Sequence, residues 1–151
     1  MTFWEEFLPA LFKGVLTTLE MLAIAAPASV ALGILLGTLR VYGGRIASLI
    51  AAAVVVMFRG FPLLVTLLLL FFGLADLRIY LTPFWAAVLG FILCSGSYQS
   101  EYVRGAIRSI DIGQSLAAKA IGMTKLQEVM YIILPQAIRR ALPGISNEII
   151  Y

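Results

Sequence analysis

Few side chains in this sequence could do chemistry, and taking stock of them excludes more than it suggests. Among 151 residues there is no histidine and a single cysteine, Cys94, set within an apolar run. Neither a disulfide framework nor a thiol or imidazole metal cage can be built from that set, so no metal and no cofactor is expected. Cys94 itself reads as a small packing residue. No segment has the G-x-x-x-x-G-K-[ST] spacing of a phosphate loop, so the chain cannot hold ATP in that manner. Its apolar stretches lack the paired acid and base, the histidine relay and the arginine ladder that a proton pump or voltage sensor needs. No catalytic residue is expected. Ser97, Tyr98 and Gln99 are open to two readings, substrate contact or hydrogen bonding between helices near the inner interface. What remains is a mechanical contact. Ala117, Ala118 and Ala120 make a slim helix, Gly122 can end it, and Thr124 and Gln127 have capping-box spacing for the next helix. That arrangement suits a knob entering a partner's groove, and it equally suits an ordinary helix–turn–helix.

The elements that must carry these residues follow from composition. At 62% hydrophobic and 13% charged, the chain departs in both respects from soluble domains, which run at about half apolar and a quarter charged. It reads as one all-α integral membrane domain over residues 1–151. Met21–Leu39 is 19 uncharged residues, nearly enough to cross a ~30 Å hydrocarbon core, and an extension upstream gives a span over about 15–39. The apolar region 46–75 is interrupted by Arg59-Gly60-Phe61-Pro62. This predicts a surface helix over 46–58 and a second span over about 59–75, with Pro62 in its first turn. A third span covers about 79–100. Glu5 and Glu6 stand where a signal peptide would be basic, so the first span is expected to remain in the mature protein.

Orientation comes from the Lys and Arg residues. Nine of them (Arg40, Arg45, Arg59, Arg104, Arg108, Lys119, Lys125, Arg139, Arg140) fall on one side of this three-span arrangement and only Lys13 and Arg78 on the other. The basic side is cytoplasmic, which places the N-terminus outside. The charge is read as a topology signal, with no nucleic acid partner. Gly33 and Gly37 form a G-x-x-x-G pair in the first span, and Ala86, Ala87 and Gly90 continue the theme in the third. Such faces predict close helix–helix approach within the membrane lipid. In the basic segment, short helices are expected over 101–110, over 115–121 with Ser115 as N-cap and Gly122 as terminator, and from Thr124 to Pro135. A further helix begins over 146–151.

The run Ala117-Ala118-Lys119-Ala120-Ile121-Gly122-Met123, followed after the glycine by nine residues and Ile132-Ile133-Leu134-Pro135, resembles the EAA loop of ABC importer membrane subunits. Glu101, Arg104, Gly105 and Gln114 resemble flanking positions of the polar amino acid branch, which serves histidine, glutamine, glutamate, arginine or opines. Arg59-Gly60-Phe61-Pro62 is similar to that branch's R-G-T-P motif. Leu116 stands where the family has a glutamate, and Phe61 where it has threonine. The resemblance implies a five-span importer permease fold with a cytoplasmic coupling loop over about 101–145, in a multi-pass protein of the bacterial inner membrane. It implies a non-enzymatic, pathway-forming subunit partnered by a second permease subunit, cytoplasmic ABC ATPase subunits and an extracytoplasmic amino acid-binding protein. It also implies that residues 117–123 contact the ATPase. Because such subunits resemble longer proteins, the alternative is a truncated, transport-inactive membrane protein or pseudogene product. Nucleotides after the Tyr151 codon would distinguish the two.

Overall fold

The computed structural model describes residues 3–150, and every regular element in it is helical. Helix α1, Phe3–Tyr42, is 40 residues long, about 60 Å at ~1.5 Å per residue. Its interior hydroxyls bond back to the helix itself: Thr18 Oγ1 to the Gly14 carbonyl at 2.9 Å, Ser29 Oγ to Ala26 at 2.8 Å and Thr38 Oγ1 to Ile34 at 2.7 Å. An apolar helix can thus satisfy the hydroxyl donors of these groups internally. Residues Phe7–Tyr42 are long and apolar enough to cross a membrane, and they contain the whole span expected at 15–39.

Gly44, at φ +68°, reverses the chain into α2, Gly44–Gly60. Ala51 and Val55 of α2 pack against Leu36 of α1. Helix α3, Leu63–Leu68, follows after Phe61-Pro62 and continues through a π-helical turn, Leu69–Gly73, into α4, Leu74–Asp76. The axis bends by 107° between Gly44–Gly60 and Leu63–Asp76. The second apolar helix therefore starts at Leu63 rather than Arg59. Arg59 and Gly60 finish α2, and Pro62 caps α3 instead of lying in its first turn, because the residue before a proline is pushed out of helical backbone.

Helix α5, Pro83–Arg108, has Thr82 as its N-cap, accepting from the Trp85 amide, and Pro83 at its first position. It runs through the boundary expected at residue 100, so 101–108 is not a separate short helix. Helix α6 is Ile112–Ala120. Its N-cap is Asp111, whose Oδ1 accepts from the Gly113 amide at 2.6 Å; the residues read as a breaker start the helix, and Ser115 lies inside it. The capping box is present, Thr124 accepting from the Gln127 amide and Gln127 Oε1 from the Thr124 amide. It opens α7, Lys125–Gln127, which passes through a π-helical turn, Glu128–Ile133, into α8, Leu134–Ile150. The helical path does not stop at Pro135. The π turn has already displaced the i→i+4 bonding that a proline would break. The further helix expected at 146–151 is the end of α8, with Tyr151 outside the described residues.

Helices α1 and α5 form the main seam and run parallel: Gly33 lies against Gln99 and the Gly96 carbonyl, and Gly37 against Ser100 and Val103. Helix α3 runs antiparallel to α5, pairing Thr66 with Cys94 and Leu67 with Gly90. A core cluster joins Val103 and Ile107 of α5 to Val129, Ile133, Ala137, Ala141 and Ile145, with Val41 and Tyr42 at its border.

Candidate functional site: an arginine–glutamate node and a glycine-ended surface helix

Charged residues from three helices meet in space. Glu101, on α5, is ion-paired through Oε1 to Arg40 at the end of α1 and, at 3.5 Å, to Arg59 at the end of α2. Its Oε2 accepts from Arg104 Nε at 2.9 Å. Arg59 also lies over the Tyr98 ring at 5.0 Å, and its carbonyl accepts from the Tyr98 hydroxyl at 3.4 Å. One carboxylate therefore ties together the ends of α1 and α2 and the middle of α5. The pairing offsets the cost of taking a partly buried carboxylate from water. Sequence reasoning found Arg59, Glu101 and Arg104 but missed Arg40, which was counted only as a topology charge.

Of the polar trio on α5, Gln99 and Tyr98 bond to other helices and Ser97 to its own. Gln99 is fully buried, and its Nε2 donates to Ser29 Oγ of α1 and to Ser95 Oγ, both at 3.0 Å. Ser97 donates to the Leu93 carbonyl within its own helix.

The α6 region is built differently. Its C-terminus closes with the Gly122 amide donating to the Lys119 carbonyl and the Met123 amide to the Ala118 carbonyl, both at 3.0 Å. Gly122 is at φ +80°. This is the glycine-ended cap that the spacing predicts. Among residues 117–123 only Ala118 is buried against the chain. Ala117, Lys119, Ala120, Ile121 and Gly122 are exposed and Met123 is half-buried. Ile112, Leu116, Ile121 and Leu126 are all more than half exposed, giving this end of the molecule an apolar outer face. Gln114 Oε1 accepts from Gln136 Nε2 of α8 at 3.3 Å, and Leu134 is buried just beyond the π turn, while Pro135 is exposed.

Behind α6, Glu128 Oε1 accepts from the Ser115 hydroxyl and, at 2.7 Å, from Lys125 Nζ. Lys125 and Ser115 beside Glu128 hold its carboxyl below the usual carboxylate range. Immediate neighbours cover this side chain to 1% exposure although it lies at the rim of the molecule, so partnering outweighs desolvation. Sequence reasoning passed over Ser115–Glu128. Their separation of 13 residues matches no helical repeat, and only the turn at Gly122 brings them together.

The chain is similar to known proteins over nearly its whole length. Relatives include the glutamine transport system permease protein GlnP of Escherichia coli K12, 36% identical over 145 residues, or 93% of this chain and 65% of that protein. The probable amino-acid ABC transporter permease protein PatM of Vibrio harveyi is 38% identical over 148 residues, 96% of this chain and 66% of that protein. A solved amino acid ABC transporter, crystallised with histidines, superimposes with a TM-score of 0.82 at 32% identity, covering 99% of this chain and 72% of that one. The chain thus spans about two thirds of the length of these permeases. Residues 29–151, which hold the arginine–glutamate node, α6 and its glycine cap, match the family model for the binding-protein-dependent transport system inner membrane component, and the chain belongs to that family.

Proposed function

We propose that this chain is a pathway-forming permease subunit of an ATP-driven importer of polar amino acids. The relatives' names, glutamine, arginine and nopaline transport system permeases, support that substrate class. Helices α1, α3–α4 and α5 serve as three spans, out-to-in, in-to-out and out-to-in, with α2 at the inner surface. The parallel α1–α5 pairing, the antiparallel α3–α5 pairing and the 107° bend before Leu63 agree with that path. The N-terminus is outside, and the loop from Glu101 to about residue 145 is cytoplasmic, where the basic side chains lie. A second permease subunit completes the pathway. A binding protein delivers substrate from outside, and ATPase subunits dock from inside.

The observation that carries the coupling role is the exposed apolar end around α6. A nine-residue helix closed by a left-handed glycine, presenting Ile112 and Leu116 to the outside with Ile121 at its C-cap, is shaped to enter a groove. With leucine at 116, apolar packing takes the place of a charged contact there. In this mechanism ATP-driven closure of the ATPase pair moves α6, and α5 and α8 follow it as packed bodies. The test uses the full-length permease assembled with its ATPase. Gly122→Asp, which adds a charge at the tip, releases the ATPase from membranes or leaves hydrolysis running without uptake. Normal substrate-stimulated uptake by this variant overturns the docking role. Topology is checked separately by labelling single cysteines from outside: a probe at Leu77 is modified and one at Lys125 is spared.

A further inference from the structure

We infer that Ser115, Glu128, Lys125 and Tyr42 form a relay that carries movement of α6 to the inner end of α1. The inference rests on the reading of α6 as the ATPase-facing element. Apolar burial alone holds α6 weakly, since Ala118 is the single buried side chain in the helix. Its attachment to the body is polar. The Ser115 hydroxyl donates to Glu128, and Lys125 Nζ holds the same carboxylate at 2.7 Å. Lys125 Nζ also lies 4.7 Å from the centre of the Tyr42 ring, within cation–π range. Tyr42 is the last residue of α1 and borders the core cluster. A displacement of α6 thus pulls on a carboxylate, the carboxylate on an ammonium, and the ammonium on the end of the longest helix.

One feature separates this from a static clasp. The Lys125 side chain is 56% exposed, so the link can break and re-form as the loop moves.

The test compares Lys125→Met and Tyr42→Leu with Lys125→Arg and Tyr42→Phe in the full-length transporter, reconstituted with its ATPase and binding protein. The first pair removes the cation or the ring, and the second keeps both. ATPase co-purification is expected to be unchanged in all four. Uptake per ATP hydrolysed falls about five-fold or more in the first pair, the low end of a typical coupling between sites, and is retained in the second. Uptake unchanged in the first pair overturns the relay while leaving the docking role of α6 standing. Loss of ATPase binding in Lys125→Met also overturns it, because Lys125 would then be a docking residue. Equal loss in Tyr42→Phe and Tyr42→Leu overturns the cation–π step. Failure of the docking role shows instead in the Gly122→Asp experiment, which leaves these residues intact.

Discussion

At Gly33 an added Cβ would come within 2.7 Å of Gln99 Cβ and 3.2 Å of the Gly96 carbonyl, whereas at Gly122 it would meet nothing within 4 Å among the described residues. Gly122 is glycine because of its φ of +80°, and Gly33 because another backbone occupies the space. Gly37 and Gly96 repeat the crowding, with approaches of 2.8 Å to the Ser100 carbonyl and 2.9 Å to Leu32. The same residue type therefore marks a tightly packed seam between α1 and α5 and an open turn on α6. A seam made by close approach is rigid and fails when volume is added. A turn made by backbone conformation accepts volume and responds to strain and to charge. On the function proposed above, the seam serves as a body that moves as one piece and the turn as the surface that the ATPase grips.

That contrast can be broken most forcefully at Gly33. Gly33→Leu should insert normally yet separate α1 from α5, because overpacking a tight contact costs about 1–3 kcal/mol even where neighbours can give, and here one neighbour is a backbone carbonyl. The check is membrane cross-linking between cysteines at Ser29 and Ser95. Undiminished cross-linking would show that the α1–α5 seam does not depend on close approach.

The next effect belongs to the arginine–glutamate node, which closes the C-terminal end of the seam. Glu101→Gln leaves Arg40, Arg59 and Arg104 without their counter-charge. The side chains are 18–40% exposed, so the loss should be about 1–2 kcal/mol, below the 3–5 of a fully buried pair. Thermal unfolding of the purified permease measures it, and an unchanged midpoint would reduce the node to a surface feature.

Gly122→Ala sharpens the comparison from the other side. It adds a methyl group where there is room, so only the left-handed backbone is penalised, by about 1 kcal/mol. Amide exchange at residues 118–123 should quicken while global unfolding stays the same. A large global loss would mean that the α6 turn is as tightly packed as the seam.

The smallest effect is the pH response of Glu128. Its carboxyl titrates below its ordinary value, so its pairing stabilises the loop above the ordinary carboxylate pKa and is lost as pH falls through the lower, folded value. Exchange protection of α6 should begin to decline as pH falls below the ordinary glutamate pKa of ~4.3 and go on falling through the lower, folded value. Glu128→Gln should flatten that response, and an equal slope in the variant would assign it to another group.

Much of this was legible in the sequence because local rules decide it. The α6 terminator at Gly122, the Thr124–Gln127 capping box and the close-approach face at Gly33 and Gly37 each depend on residues within one or two helical turns. The start of α6 was misread because Asp111 and Ser115 are both good N-caps. Ser115 goes instead to Glu128, a partner that no local rule supplies. The passage of the helix through Pro135 was hidden in the same way, since a π turn leaves no sequence period to read.

Composition and charge alone determined that this chain is membrane-like and where its basic residues gather. Those properties sum over residues and need no knowledge of partners. Only the tertiary structure decided that Arg40 and Arg59 reach the Glu101 carboxylate, that Gln99 joins α5 to α1, and that Lys125 lies over Tyr42. Each of those contacts joins groups on different helices, or on turns far apart in the chain. Their distances are set by how the chain bends at Gly44, Pro62 and Gly122, and no spacing along the sequence encodes them.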